Sequence, residues 1–361
     1  MPKTYNNLWD TLLGFDNFFH AFKAAQKGKR FSAEALVYAN HAEDMIIEDQ
    51  NRLMLHSWEP GRWNMFEVYE PKRRLIMAPP FRDRVVHHAL VRVIGPLLER
   101  KFISDSYACQ VGKGTHRAQM RVRSFLREAA AKGRTYALQT DIKSFFPSVN
   151  HDVLLKILRR TIRDRDALWL CEKIIRTGPE NRGLPIGALT SQLFANVYLD
   201  QLDHFVKDTL GIKHYVRYMD DTVIVHHDKR FLWQLRLEIG DFVEGVLDLR
   251  LNPKTCVYPI SQGVDFCGYR TWPGYTLPRK RNVFKAKRKL KKLIPLVARG
   301  RASPETLRGS LASFHGYIKH CQGTITEKSI LEDMAAVMAA FLLPERRRGN
   351  EDPGLQRQGS V

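Results

Sequence analysis

The sequence predicts an α+β fold, because short β-rich segments alternate with helical ones in the middle of the chain and a basic helical region follows. The clearest β-rich runs are Tyr136–Thr140, His214–Tyr218 and Thr222–His226. Neither a G-x-G-x-x-G sequence after a strand nor a P-loop sequence is present. We therefore expect an α+β protein rather than a doubly wound parallel sheet.

The N-terminal third combines helices with one pair of strands. Phe66–Glu70 and Arg74–Met77 read as two short strands joined by the turn Pro71-Lys72-Arg73. A helical pattern follows over His87–Phe102, and Gly95-Pro96 is expected to break it.

The middle and C-terminal regions give further signals. His214–Tyr218 and Thr222–His226 flank Met219-Asp220-Asp221 so closely that we expect a β-hairpin. Ser303-Pro304-Glu305 supplies a cap, a proline at the first helical position and an acid near the positive end of the helix dipole, which together predict a helix start. Helical spacing predicts three more helices. Asn150–Ile162 and Ser191–Leu210 precede the hairpin, and Phe231–Leu247 follows it.

Composition limits the possible classes of protein. The 361 residues are 44% apolar and 27% charged, which excludes a wholly disordered chain, a collagen-like chain and a small disulfide scaffold. The formal net charge of +20 indicates a polyanionic partner, with nucleic acid ahead of an acidic membrane surface. Five scattered cysteines, no signal-peptide pattern and no run of 18 apolar residues lead us to expect a soluble, cytoplasmic protein with no membrane partner.

Three carboxylates are the strongest candidates for chemistry. Asp141 ends a predicted strand, and Asp220-Asp221 occupies the predicted hairpin turn. An Asp-Asp pair alone is more often an exposed turn, but a third carboxylate at a neighbouring strand end is what a two-metal phosphoryl-transfer site requires. Mg²⁺ suits such oxygen ligands, with Mn²⁺ as a substitute, and no His or Cys set suggests zinc.

Several segments, in order from about Phe66 to Tyr269, resemble the motifs of reverse transcriptases. They are Tyr69–Ile76, Asp83–Leu90, Gln139–Phe146, Gly183–Gln192, Tyr218–Asp221, Asn252–Thr255 and Phe266–Tyr269. The resemblance implies a right-hand polymerase architecture with fingers, a palm containing an antiparallel sheet, and a helical thumb. It implies domains at 1–135 (N-terminal helices and fingers), 136–275 (palm, with inserted fingers segments) and 276–342 (basic helical thumb), and the polar segment 343–361 is expected to be disordered.

A narrower resemblance comes from Ile186-Gly187 with Ser191-Gln192, where most reverse transcriptases have Gln-Gly and Ser-Pro. This form, and the segments Lys113–Ala118 and Ser191–Leu199, are similar to reverse transcriptases of diversity-generating retroelements. That similarity implies a dedicated template RNA, an RNA/cDNA duplex, dNTPs and a small oligomeric accessory protein as partners. Another prokaryotic reverse transcriptase (anti-phage, retron or intron-derived) is the alternative, and a silent RNA-binding scaffold is a third reading.

The resemblance implies that Asp141, Asp220, Asp221 and the main-chain carbonyl of Ile142 hold two Mg²⁺ ions, although Asp141 alone would also suit a helix N-cap. Lys254 either donates a proton to pyrophosphate or is a surface lysine.

Lys72 and Arg74 follow a turn where cations would clamp a triphosphate, unless they are solvated turn residues. Arg73 would serve as well as Arg74. Phe146 matches the family's steric gate against a 2′-hydroxyl, and from spacing alone it would be a core residue.

Ile186, Gly187 and Gln192 are expected at the nascent base pair. A glutamine at 186 would form a hydrogen bond there that isoleucine cannot, so we expect low fidelity. The family resemblance implies that the errors fall opposite template adenines.

Two further regions are expected to contact nucleic acid. By resemblance, the primer end rests on Phe266, Cys267, Gly268 and Tyr269. The run from Arg279 to Arg301 holds eleven Lys or Arg and no acid, which favours binding to phosphates over a solvated helix face. The candidates within it are Arg279, Lys280, Arg281, Lys285, Lys287, Arg288, Lys289, Lys291 and Lys292.

Overall fold

The computed structural model describes residues 3–69, 73–177 and 181–342, and it confirms the predicted α+β class. The chain divides into two compact units. The first contains the residues up to Cys267 together with Thr271–Gly274, and the second contains Gly268–Arg270 and the residues from Tyr275 onward.

The N-terminal part of the first unit is helical except for one β-hairpin. Its helices are α1 (Trp9–Leu13), α2 (Phe15–Ala25), α3 (Ala33–Asn40), α4 (Ala42–Met54), α5 (Phe81–Glu99) and α6 (Thr115–Ala130). Strands β1 (Asn64–Tyr69) and β2 (Arg73–Ala78) pair antiparallel between α4 and α5. This confirms the two predicted strands, while residues 70–72, which include Pro71 and Lys72 of the predicted turn, lie outside the described residues.

The break predicted at Gly95-Pro96 is wrong, since α5 continues to Glu99. A proline inside an exposed helix costs about 3 kcal/mol, because it removes one backbone hydrogen bond and crowds the preceding turn. Here the neighbouring side chains of Ile94 and Leu98 are buried in the core, and that burial offsets the cost.

The rest of the first unit is built around a four-stranded sheet. Its elements are β3 (Tyr136–Thr140), α7 (Phe145–Ser148), α8 (His151–Arg159), α9 (Arg165–Ile175), α10 (Leu189–His204), a π-helical turn (Phe205–Thr209), β4 (Tyr215–Tyr218), β5 (Asp221–His226), α11 (Lys229–Gly245), β6 (Cys256–Pro259), a 3-10 turn (Ile260–Gln262) and β7 (Val264–Phe266). The sheet order is β4-β5-β3-β6, and every neighbouring pair is antiparallel. The predicted hairpin is therefore confirmed.

Alternation along the central strands buries both faces of this sheet. Leu138 and Ile224 join the main core, and Ala137, Val223 and Val225 pack on the other side in a smaller cluster that includes buried residues of α6. A strand covered on both faces has little freedom, so side chains at the strand ends are held at fixed positions.

The second unit is mainly a three-helix bundle. After the short strands β8 (Tyr269–Thr271) and β9 (Thr276–Pro278), it contains α12 (Lys280–Ala298), α13 (Pro304–Ile318) and α14 (Thr324–Leu342). The predicted start of α13 is confirmed, because the Ser303 hydroxyl accepts a hydrogen bond from the N–H of Thr306. Within the described ranges, no helix is both long enough and apolar enough to cross a membrane.

Candidate functional site

Asp141 and Asp220 meet at one end of the four-stranded sheet. Asp141 directly follows β3, while Met219 and Asp220 form the two-residue turn between β4 and β5. Pairing of β3 with β5 sets Thr140 opposite Thr222, with their hydroxyl oxygens 2.6 Å apart. This register brings the end of β3 beside the turn, so the two carboxylates become neighbours although they are far apart in sequence.

The electrostatics of this pair suit a cation. Burial raises the pKa of Asp220 to about 6, and the negative charge of Asp141 and a hydrogen bond with it raise that pKa too. The backbone amide of Asp220 and the positive charge of Arg74 act in the opposite direction. Because two carboxylates in contact disfavour each other's charged form, a hard divalent ion with a preference for oxygen, such as Mg²⁺, fits this donor pair.

The third predicted carboxylate is placed differently. Asp221 begins β5, where its backbone pairs with Tyr218, and Ile142 is a buried residue whose backbone bridges to Leu251. In the part of the chain that the structure describes, no three His, Cys, Asp or Glu side chains are grouped so as to hold a metal ion. The structure thus brings Asp141 and Asp220 into contact and places Asp221 next to Asp220 at the start of β5. The three-carboxylate metal site stays a prediction.

Asn252 holds Asp141 in place, a role that was not predicted. Its side-chain amide donates to Oδ2 of Asp141 at 2.8 Å, and its backbone N–H donates to the main-chain oxygen of Asp141 at 2.7 Å. Its side-chain oxygen accepts the N–H of Lys254 at 3.1 Å, while the Lys254 side chain is exposed. The segment Asn252–Thr255, one of those that resemble reverse transcriptase motifs, therefore contacts the carboxylate pair through Asn252.

Arg73 and Arg74 of the β1–β2 hairpin have different electrostatic partners, a difference that the sequence alone did not reveal. Arg73 forms an ion pair with Glu67 on the opposite strand. Arg74 instead supplies a positive charge that acts on Asp220. The other predicted cation of this turn, Lys72, lies outside the described residues.

The Ile186-Gly187 segment is attached to the same hairpin. The N–H of Met77 on β2 donates to the main-chain oxygen of Ile186 at 2.8 Å. Gly187 has φ +133°, and a Cβ at this position would lie 2.8 Å from the main-chain oxygen of Met77. Only glycine fits here. The Ile186 side chain is half-buried, and Gln192 is exposed on the first turn of α10.

Phe146 lies next to this segment. Its main-chain oxygen accepts the N–H of Leu184 at 2.8 Å. The ring is half-buried and meets the buried ring of Phe145 edge-on, with centroids 5.4 Å apart and an interplanar angle of 65°. Asp141, Ile186 and Phe146 therefore all belong to connected parts of the first unit.

Residues 69–271 of this chain match the model of a protein family described as "reverse transcriptase (RNA-dependent DNA polymerase)". The match covers more than half of the chain and includes both carboxylates. The chain belongs to the reverse transcriptase family.

The chain is also similar to curated proteins. This reverse transcriptase is 27% identical over 248 residues to protein YkfC of Escherichia coli K12, covering 56% of this chain and 65% of YkfC. It is 24% identical over 226 residues to the group II intron-encoded protein LtrA of Lactococcus lactis subsp. cremoris, covering 57% of this chain and 36% of LtrA. The chain thus spans less than two thirds of either relative.

Among solved structures, one match is a telomerase from Candida albicans determined with a fragment of telomeric RNA. The identity is 14%, the match covers 78% of this chain and 62% of that chain, and the TM-score is 0.46.

The predicted primer-end segment of the reverse transcriptase has two buried side chains. Phe266 packs in the smaller core cluster of the first unit, and Tyr269 is buried in the second unit, where its hydroxyl donates to the main-chain oxygen of Tyr317 at 3.0 Å. Cys267 and Gly268 both have positive φ, at +50° and +88°. The contact of this segment with a primer stays a prediction.

The basic helix α12 has an acidic partner that the linear sequence does not reveal. Asp333 on α14 lies 3.1 Å from Nζ of Lys287 and 3.7 Å from Nζ of Lys291. These two lysines are thus engaged within the bundle. Arg279 is half-buried at the position before α12. Lys291 is exposed despite its contact with Asp333, and the other exposed cations on α12 are Lys280, Arg281, Lys285, Arg288, Lys289 and Lys292.

Proposed function

We propose that this reverse transcriptase is an active RNA-directed DNA polymerase that extends a primer with dNTPs. The observation that carries the proposal is the contact between Asp141 and Asp220 at the end of a sheet that lies within the family match. When bound there, Mg²⁺ supplies activation of the attacking hydroxyl and charge neutralisation of the departing pyrophosphate. Asp141 and Asp220 hold the ion, with Asp221 and the main-chain oxygen of Ile142 as further candidate ligands.

Three neighbouring residues have proposed roles in binding the incoming nucleotide. Arg74 is the better candidate for the triphosphate, since Arg73 is occupied by Glu67 and the charge of Arg74 acts on Asp220. Phe146 is half-buried, which leaves part of its ring to exclude a 2′-hydroxyl. Lys254 is exposed and linked through Asn252 to Asp141, which suits a proton donor to pyrophosphate.

The domains follow the same proposal. Residues 1–135 supply the N-terminal helices and fingers, 136–275 the palm and 276–342 the thumb, whose exposed cations bind the RNA/cDNA duplex. The observed division of the chain into two units near residues 267–275 supports a separate thumb.

We further propose that the enzyme serves a diversity-generating retroelement, copying a dedicated template RNA with errors at adenines and working with a small oligomeric accessory protein. Ile186, which replaces the glutamine common in the family, and Gln192 support this narrower role. The likeness to LtrA favours a second candidate, an intron-type reverse transcriptase. Sequencing of the cDNA distinguishes them, because only the first predicts adenine-directed errors.

Primer extension on an RNA template tests the activity. We expect the natural chain to extend a DNA primer with dNTPs and Mg²⁺, and Asp220→Ala to lose at least 1,000-fold in rate. Asp241→Ala is the matched control, since Asp241 is exposed on α11. Extension by Asp220→Ala at the natural rate, or absence of extension by the natural chain under all metal conditions, would contradict the proposal.

A further inference from the structure

Arg217, on β4, is a fully buried cation next to the turn that carries Asp220. Its side chain is 0% exposed, and its Nε and Nη2 donate to the two carboxylate oxygens of Asp203, each at 2.7 Å. The hydroxyl of Tyr215 also donates to Asp203, at 2.6 Å. A buried ion pair adds little net stability relative to apolar side chains of the same size. The Arg217–Asp203 ion pair is therefore a candidate for a role other than stabilising the fold.

The remaining nitrogen of the guanidinium reaches the turn. Nη1 donates to the main-chain oxygen of Met219 at 3.0 Å and to Oδ1 of Asn196 at 3.1 Å. Met219 has φ +56°, a left-handed conformation that costs a non-glycine residue about 1 kcal/mol. The oxygen that Arg217 binds belongs to the peptide group joining Met219 to Asp220. Arg217 thus fixes the orientation of the peptide that precedes the Asp220 carboxylate.

The backbone of Arg217 is anchored on its other side. Its N–H donates to the main-chain oxygen of Asp105, and its own oxygen accepts the N–H of Tyr107, both at 3.0 Å. The Asp105 carboxylate binds Arg121 at 2.7 Å and Lys207 at 2.9 Å. The segment around Asp105 therefore covers the outer edge of β4. These hydrogen bonds restrain the backbone that carries the Arg217 guanidinium.

We propose that Arg217 is a positioning residue for metal binding and nucleotide addition, holding the Met219–Asp220 peptide so that Asp220 faces Asp141. This inference rests on the proposed function. The role needs the planar fork of arginine, because one group must reach Asp203, Asn196 and Met219 at once. A lysine ammonium keeps the charge but cannot span these three acceptors.

The first test compares Arg217→Lys with the matched control Arg82→Lys. Both arginines bind a buried aspartate, but Arg82 lies on α5 and its partners Asp49 and Glu48 lie on α4. For Arg217→Lys we expect at least a tenfold fall in kcat for primer extension and a several-fold rise in the Mg²⁺ concentration for half-maximal rate. The Kd for primer–template stays within twofold. Arg82→Lys keeps the natural Mg²⁺ dependence.

The second test uses the double variant Arg217→Met with Asp203→Leu, which removes the donor to Met219 and replaces the buried pair with apolar side chains, a change that is often neutral or stabilising. Binding of Mn²⁺, measured by the loss of the free-ion EPR signal without any substrate, is expected to weaken several-fold. Natural Mn²⁺ binding by a folded double variant overturns the proposal, as does an equal change in Mg²⁺ dependence for Arg82→Lys.

The two hypotheses fail in different ways. If the natural chain extends no primer, the polymerase proposal fails, and Mn²⁺ binding still tests Arg217. If the natural chain polymerises and both Arg217 variants keep its Mg²⁺ dependence and Mn²⁺ affinity, only the positioning role fails.

Discussion

The side-chain amide of Asn252 donates a hydrogen bond to the Asp141 carboxylate at 2.8 Å, and the same residue accepts the backbone N–H of Lys254. This asparagine therefore links a proposed metal ligand to a proposed proton donor. The NH2 group of its side-chain amide donates and the carbonyl oxygen of the same amide accepts, so neither an aspartate nor a leucine of similar size can replace it.

We predict that Asn252→Ala lowers kcat for primer extension by roughly 10–100-fold, because a hydrogen bond to a charged group contributes about 1.5–3 kcal/mol. Single-turnover primer extension at saturating Mg²⁺ measures the effect. Asn51→Ala, at an exposed asparagine on α4, serves as the control and should be neutral. A natural rate for Asn252→Ala would show that Asp141 needs no such support.

Local patterns in the sequence predicted the framework of this site. The alternation around Met219-Asp220-Asp221 gave the hairpin, and the strand ending at Thr140 placed Asp141 correctly. The partners of these residues could not be predicted, because Asn252 comes from a distant loop whose return to Asp141 depends on tertiary packing. The acid on α14 that pairs with α12 was missed for the same reason. Pro96 was misjudged because local propensity yields to core burial.

The identity of residue 186 is predicted to affect the error spectrum. Ile186→Gln restores a hydrogen-bonding side chain beside the hairpin, and one polar contact of about 1 kcal/mol corresponds to roughly fivefold in selectivity. We expect misincorporation opposite template adenines to fall by about that factor when cDNA is sequenced. Ile325→Gln, at an exposed position in the second unit, is the control. An unchanged spectrum in Ile186→Gln would count against the adenine-directed role.

The cations of α12 are predicted to divide into two functional groups. Arg288 and Lys292 are exposed, whereas Lys287 is bound to Asp333. Replacing both Arg288 and Lys292 by Gln should weaken binding of an RNA/DNA duplex and reduce the slope of log K against log salt by about 1–2, since each phosphate contact contributes about 0.9.

Lys287→Gln is the matched comparison on the same helix. It removes an internal ion pair, so we expect a lower melting temperature and an unchanged salt slope. Fluorescence anisotropy across a salt series distinguishes the two variants. Equal salt slopes in the natural chain, the Arg288/Lys292 double variant and Lys287→Gln would mean that these cations of α12 do not bind phosphates of the duplex.

His87 on α5 is predicted to make folding sensitive to acid. Burial lowers its pKa to about 3, and the positive charges of His88 and Arg84 lower it too. In the described part of the chain its Nε2 is buried without a hydrogen-bond partner, and Nδ1 lies 3.3 Å from the Thr190 hydroxyl. The unfolded chain binds a proton at this residue near pH 6.5, whereas the folded chain does not.

The free energy of unfolding therefore falls as the pH drops below about 6.5, by up to about 1.4 kcal/mol per pH unit from this residue. Urea unfolding at pH 7.5 and pH 5.0 should show the natural chain losing about 2 kcal/mol more than His87→Gln, whose side chain does not titrate. His20→Gln, at an exposed histidine, should lose as much as the natural chain. Equal losses in the natural chain and His87→Gln would mean that the imidazole accepts a proton in the folded state, through an opening of the contact between α5 and α10.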